Sequence, residues 1–229
     1  MNKDKIVFRL IPKNQYALVS MYAPCRQLDD VAIAYYELGD DNIASLITNK
    51  MMKSMESDEE LTEENLYELA YENTKRIFPP QVKSMDKVIR ELGVEPGDHG
   101  KKMFVVSNAN KVYGAINMIY PECLEQVSEM LGDDLYIMPS SLHETIMIGK
   151  KDAGDVLDLQ DVVHEINIMS VHPSERLSNQ LFCYNRDTKE LALVHTGRYL
   201  DLELDHFEGE EEEPDFETEE EKDLEMVCS

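Results

Sequence analysis

Residues 103–148 read MFVVSNANKVYGAINMIYPECLEQVSEMLGDDLYIMPSSLHETIMI, and strand-like and helix-like patterns alternate through them without a break. Residues 103–107 and 111–120 read as two strands around the turn Asn108-Ala109-Asn110. Pro121 then stands at the favoured first-turn position of a helix whose apolar face is Leu124, Val127, Met130 and Leu131, and Gly132 ends it. Residues 134–138 and 144–148 supply two more strands around Pro139-Ser140-Ser141. The order strand, strand, helix, strand, strand, joined by short turns, predicts an α+β fold with largely antiparallel sheets and packed helices.

Upstream, residues 5–10 form a strand closed by Pro12, and residues 31–48 read as a hairpin turning at Gly39-Asp40-Asp41-Asn42. Met51, Met52 and Met55 follow at helical spacing. Ser57 and Glu60 have the spacing of a capping box before a helix that Ile77-Phe78-Pro79-Pro80 breaks. Ser84 caps a short helix with Met85, Val88, Ile89 and Leu92 on one face, stopped by Gly93. Loop 93–101 separates residues 1–92 from residues 102–200, either as two subdomains or as layers of one domain over 1–200. Downstream, Val156, Leu159, Val162, Val163, Ile166 and Met169 give residues 156–169 the pattern of an amphipathic helix. A last hairpin, 181–185 and 190–194, turns at Asp187-Thr188-Lys189.

The charge is concentrated at one end. Residues 201–229 hold fifteen Asp and Glu against Lys222 alone, while the first 200 residues hold 32 acids against 21 bases. Residues 203–229 therefore read as a disordered acidic tail, with too few apolar side chains to offset ordering. Nucleic-acid binding through the backbone needs clustered Lys and Arg, and none is present, so direct contact with nucleic acid is disfavoured. No run approaches the roughly 20 apolar residues of a membrane span, and the first 20 residues lack a signal-peptide core. The four cysteines, Cys25, Cys123, Cys183 and Cys228, are scattered without a CxxC pair. Together these features predict a cytoplasmic protein with reduced thiols, Cys123 and Cys183 acting as small core residues.

The phrases LDDVAIAYYEL, IASLITNKMM, ENTKRIFPPQVKSM, MFVVSNANKVYGAINMIYP and LGDDLYIMPSSLHETIMI resemble an uncharacterised bacterial family, a domain of unknown function found in Firmicutes. The resemblance runs from Leu28 to Leu193, and the last two phrases are its most specific. It implies a bacterial cytosolic protein and brings no assigned catalytic residues. Members usually carry a further N-terminal region before the first phrase, so the resemblance places this chain on the C-terminal part of its relatives.

Two groups of residues have the types that chemistry needs. Ser140, Ser141, His143 and Glu144 contain the components of a hydrolase site, in which a base must reach the nucleophile and a third group must orient the base. They form no strained GxSxG elbow, and the plainer reading is a turn whose serines cap free backbone groups. His164 and Glu165 on the 156–169 helix, with His172 beyond it and His143 and Glu144 from the turn, offer metal-ligand types. The spacing of His164 to His172, interrupted by Pro173, is not that of a zinc pair, and the plainer reading is surface histidines. Gly97-Asp98-His99-Gly100 puts an acid where a phosphate would sit, so the sequence calls for no nucleotide or other cofactor. The tail punctuates its acids with Phe207, Phe216, Leu224, Met226 and Val227, a pattern suited to docking on a basic, partly apolar groove. Met51, Met52, Met55, Tyr35 and Tyr36 suit either core filling or an adaptable binding groove. The resulting expectation is a non-enzymatic protein that binds another protein through its tail or its folded body. A hydrolase or metal-assisted enzyme using the Ser140–Glu144 turn is the alternative.

Overall fold

A computed structural model describes residues 1–39, 44–53, 62–97 and 100–199. After a 3-10 turn, strand β1 (Ile6–Pro12) leads into helix α1 (Lys13–Ser20), followed by β2 (Cys25–Leu28), β3 (Val31–Leu38) and β4 (Ala44–Leu46). β3 is the central strand: β1 pairs along one edge, while β2 and β4 share the other, all antiparallel. The strands of the 31–48 hairpin are therefore paired; of the turn expected at Gly39-Asp40-Asp41-Asn42, residues 40–42 lie outside the described residues. Pro12 ends β1 on a strand paired on one side only, where its missing N–H removes no internal ladder bond.

Helix α2 (Asn49–Lys53) carries Met51 and Met52; Met55 lies outside the described residues, as does the Ser57–Glu60 capping box. The cap that holds helix α3 (Glu63–Ile77) is instead Thr62, whose Oγ1 accepts the Asn65 N–H at 3.2 Å. Strand β5 (Pro80–Ser84) and helix α4 (Met85–Glu91) follow, with Ser84 capping α4 as expected and Gly93 beyond it at φ +80°. Because β5 pairs with β6 (Met103–Asn108), the second sheet begins before loop 93–101.

The rest of the sheet comprises β7 (Leu135–Met138), β8 (Thr145–Gly149), β9 (Phe182–Asn185) and β10 (Glu190–Leu193). Its order is β10-β9-β7-β8-β6-β5, antiparallel at every step. Helix α5 (Pro121–Leu131) sits between β6 and β7, starts at Pro121 and ends on Gly132 at φ +66°; Cys123, Leu124 and Val127 are buried, whereas Met130 faces solvent. The helical turn α6 (Lys150–Ala153) and helix α7 (Val156–Met169) complete the set.

Two further expectations are corrected. The second strand of the 103–148 unit is absent: Gly114–Ile119 form a 3-10 helix. Asn117 is buried there and donates its side-chain N–H to the Ser107 carbonyl at 2.6 Å, which folds the segment back onto β6 rather than beside it. The apolar face of α7 is also rotated. Val163 is buried, but so are Gln160 (0% exposed) and Asn167 (1%), while Val162 (46%) and Met169 (82%) face outward.

One cluster of buried side chains draws on both sheets, from Ile6, Phe8, Leu10, Ile33 and Tyr35 to Val106, Leu135, Ile137, Met147 and Phe182. Phe8, Tyr67, Tyr71 and Tyr120 join β1, α3 and the start of α5 in an aromatic group, with Tyr71 and Tyr120 edge-to-face at 5.0 Å. A buried Ser178 hydroxyl donates to Asp30, tying the β2–β3 turn to the segment before β9. Among the described residues, no helix is long and apolar enough to cross a membrane.

Candidate functional site: an arginine clamped by two tyrosines

The site begins with strand alternation. Even-numbered residues of β1, Ile6, Phe8 and Leu10, face the shared core, so Arg9 emerges on the opposite face of the sheet. It lies opposite Ala34, and Tyr36 stands two residues along β3 on the same face. Tyr35 points the other way, is buried, and donates its hydroxyl to Glu63.

A loop from the second sheet closes over Arg9. The Asn108 side chain accepts the N–H groups of Asn110 and Val112 at 3.0 and 3.3 Å and donates to the Val112 carbonyl at 2.8 Å. This tightly tied turn places Lys111 and Tyr113 at φ +55° and +53°, in the left-handed region that costs a non-glycine residue roughly 1–2 kcal/mol. Strain of this kind persists only where surrounding contacts over-determine it. Three contacts do so. The Tyr113 N–H donates to His143 Nδ1 at 3.2 Å, and Gly114 lies so close to Ser107, Asn108 and the His143 carbonyl that a Cβ would fall within 2.4–2.7 Å of their atoms. The Tyr113 ring covers the Arg9 guanidinium, whose central carbon is 3.7 Å from the ring centroid and 4.7 Å from that of Tyr36.

The Arg9 side chain is half-buried and, among the described residues, makes no hydrogen bond or ion pair. Burial lowers its pKa from the ordinary arginine value, while the Coulombic influence of the Tyr113 and Tyr36 phenol groups acts in the opposite sense. A partly desolvated cation without a counter-charge is costly. The faces of a guanidinium stack on rings while its five N–H groups radiate in the plane, so the edge of Arg9 can still take a planar oxyanion.

The Ser140–Glu144 turn supports this loop from beneath. His143 Nδ1 accepts from Tyr113, so the neutral ring carries its hydrogen on Nε2, which lies 3.2 Å from Glu175 Oε1. Both ring nitrogens are thereby engaged. Ser141 Oγ accepts the backbone N–H of His143 at 3.0 Å, Ser140 is buried beneath the segment before β9, and Glu144 is exposed. Among the described residues no serine oxygen meets the imidazole, so the turn lacks the nucleophile–base hydrogen bond that acyl transfer needs.

His164, Glu165 and His172 do not come together. His164 stacks on Tyr199 at 4.0 Å, and its Nδ1 is buried without a partner among the described residues. Glu165 is exposed, and His172 Nδ1 contacts Ser174 Oγ at 2.7 Å. Among the described residues no three His, Cys, Asp or Glu side chains are grouped as a metal site. An open hollow of about 350 Å³, lined by Asn2, Lys5, Glu37, Leu38, Gly39 and Ser45, brings no set of catalytic groups together.

Sequence reasoning pointed to His143 and Tyr36 but missed Arg9, Tyr113 and Glu175. Arg9 reads as an ordinary outward residue of an alternating strand. The signal for Tyr113 was the pair Tyr113-Gly114 after the Asn-rich turn, an aromatic residue immediately before a glycine that allows close backbone approach.

No curated protein and no solved structure matches the chain. A family model described as a family of unknown function, DUF5688, matches residues 1–186, including the N-terminal segment that carries Arg9. The chain therefore belongs to the DUF5688 family.

Proposed function

We propose that this protein is a non-enzymatic bacterial cytoplasmic protein that binds another protein, and that Arg9, Tyr36 and Tyr113 form the centre of its contact surface. The observation that carries this reading is the left-handed Tyr113, held over Arg9 at 3.7 Å by the His143 and Gly114 contacts. Backbone strain is spent on presenting an aromatic–arginine pair at the surface. Tyrosine and arginine are the residue types that most often dominate binding energy when an interface buries them. Free thiols at Cys25, Cys123 and Cys183 fit a reducing compartment.

The test compares the full-length chain with its Tyr113→Gly form. Glycine accepts the left-handed backbone, so the fold is preserved while the ring is lost. Both forms, tagged, are purified from native cells and co-purifying proteins are identified by mass spectrometry. A partner held by the unaltered chain and lost by Tyr113→Gly is the expected result. Identical partners on both, or none on either, overturns the proposal.

A further inference from the structure

We propose that the chain's own acidic segment, residues 201–229, docks a carboxylate on Arg9 and so competes with the partner for this surface, an inference that rests on the reading above. Three observations meet here. Arg9 is a half-buried cation with no counter-charge among the described residues, and its edge geometry matches a planar carboxylate held through two N–H bonds. Residues 201–229 carry fifteen carboxylates interleaved with Phe207 and Phe216, the composition that suits a cationic site walled by Tyr36 and Tyr113. The described chain ends at Tyr199, which is held to α7 by Asp161 and His164 and to the segment before β9 by Gln180. A segment of 29 residues extends up to about 3.3–3.6 Å per residue. That reach exceeds the diameter of a domain this size, about 40 Å.

The body of the protein is itself acidic, which opposes a polyacidic ligand. This opposition is screened beyond about 10 Å at 0.1 M salt, whereas a contact at a partly desolvated guanidinium is screened much less. The tether also supplies an effective concentration in the millimolar range, so a weak single-site contact suffices. A phosphate dianion fits less well, because a dianion calls for several donors or a nest of backbone N–H groups, whereas the cation between Tyr36 and Tyr113 is the single guanidinium of Arg9.

The test uses the full-length, ¹⁵N-labelled chain carrying a spin label on Cys228, in a Cys25→Ser, Cys183→Ser background that leaves only buried Cys123 besides it. Selective broadening of the Arg9, Tyr36 and Tyr113 amides is expected. Arg9→Gln abolishes it, and Arg9→Lys, which keeps the charge and the fold but loses the planar fork, weakens docking by about tenfold. Labelled unenriched chain mixed with unlabelled enriched chain separates docking within one chain from docking between two copies. Absence of broadening at these amides, or broadening unchanged by both variants, overturns the inference. If broadening is absent while Tyr113→Gly still loses its partner, the tail inference alone fails and the binding surface stands.

Discussion

At the residue scale the clearest constraint is Gly114. A Cβ there would lie 2.6 Å from the His143 carbonyl and 2.7 Å from the Asn108 nitrogen, both backbone atoms, and 2.4 Å from Ser107 Oγ. The serine side chain can move aside and the backbone cannot. Gly114→Ala is expected to destabilise the fold by about 1–3 kcal/mol, the usual cost of overpacking, as read by urea unfolding. An unchanged midpoint would show that the loop has slack which the geometry does not suggest. His143 acts at the same scale. Its removal leaves the Tyr113 N–H without its acceptor, so His143→Ala should cost about 1–2 kcal/mol, against about 0.5 kcal/mol or less for an ordinary surface histidine. The sequence assigned His143 to a turn correctly. It gave no sign that the ring's task is to accept a backbone N–H thirty residues away.

Among the elements, α7 departs most from its sequence pattern. Periodicity assumes an apolar surface beneath a helix, and Val156, Leu159 and Val163 do pack with Met138, Ile148 and Leu181. The remainder of α7 lies on irregular backbone, and carbonyls there need donors. Gln160 supplies them to Asn179, at 3.4 Å, and Arg198, at 3.1 Å, and accepts the Thr196 hydroxyl; Asn167 donates to the Ser178 carbonyl at 2.9 Å. Gln160→Leu is expected to cost about 1–3 kcal/mol by leaving these groups unpaired, although it makes the helix more apolar. Val162→Ser should change stability by about 0.5 kcal/mol or less. Denaturation of the two variants checks the pair, and the reverse ranking would mean that the helix packs on the face its periodicity indicates. The missing strand at 111–120 has a related cause. Its apolar run is long enough for a strand, but the left-handed Tyr113 and the buried Asn117 bond to Ser107 favour a 3-10 turn over a ladder.

For the whole molecule, the joints between layers set the response to acid. Glu63 begins α3, takes a two-pronged contact from Arg26 at 2.8 and 3.0 Å and accepts the Tyr35 hydroxyl. Burial works to raise its pKa, but the combined Arg26 and Tyr35 bonds outweigh it and hold the carboxyl below its ordinary 4.5. A carboxylate whose folded pKa is depressed contributes stability that is present above the unfolded pKa and lost as pH falls through the folded one. Unfolding free energy should therefore decline below about pH 4.5. Glu63→Gln should be less stable at neutral pH and show a flatter decline, as measured by urea unfolding from pH 7 to 3. An identical slope in both forms would show that Glu63 is not part of the acid response.

The sequence by itself determined the α+β class, the antiparallel hairpins at 31–48, 134–148 and 181–194, the Pro121 and Gly132 limits of α5, and the Ser84 cap of α4. Those features follow from local chemistry: turn residues, caps, and the spacing of apolar side chains along a few successive residues. Tertiary structure alone decided which way α7 faces, that residues 114–119 coil rather than pair, and that Tyr113 crosses from the second sheet to cover Arg9 on the first. In each case the deciding partner lies far along the chain, as with Arg9 and Tyr113 or Gln160 and Arg198, and a pattern read over neighbouring residues carries no record of it.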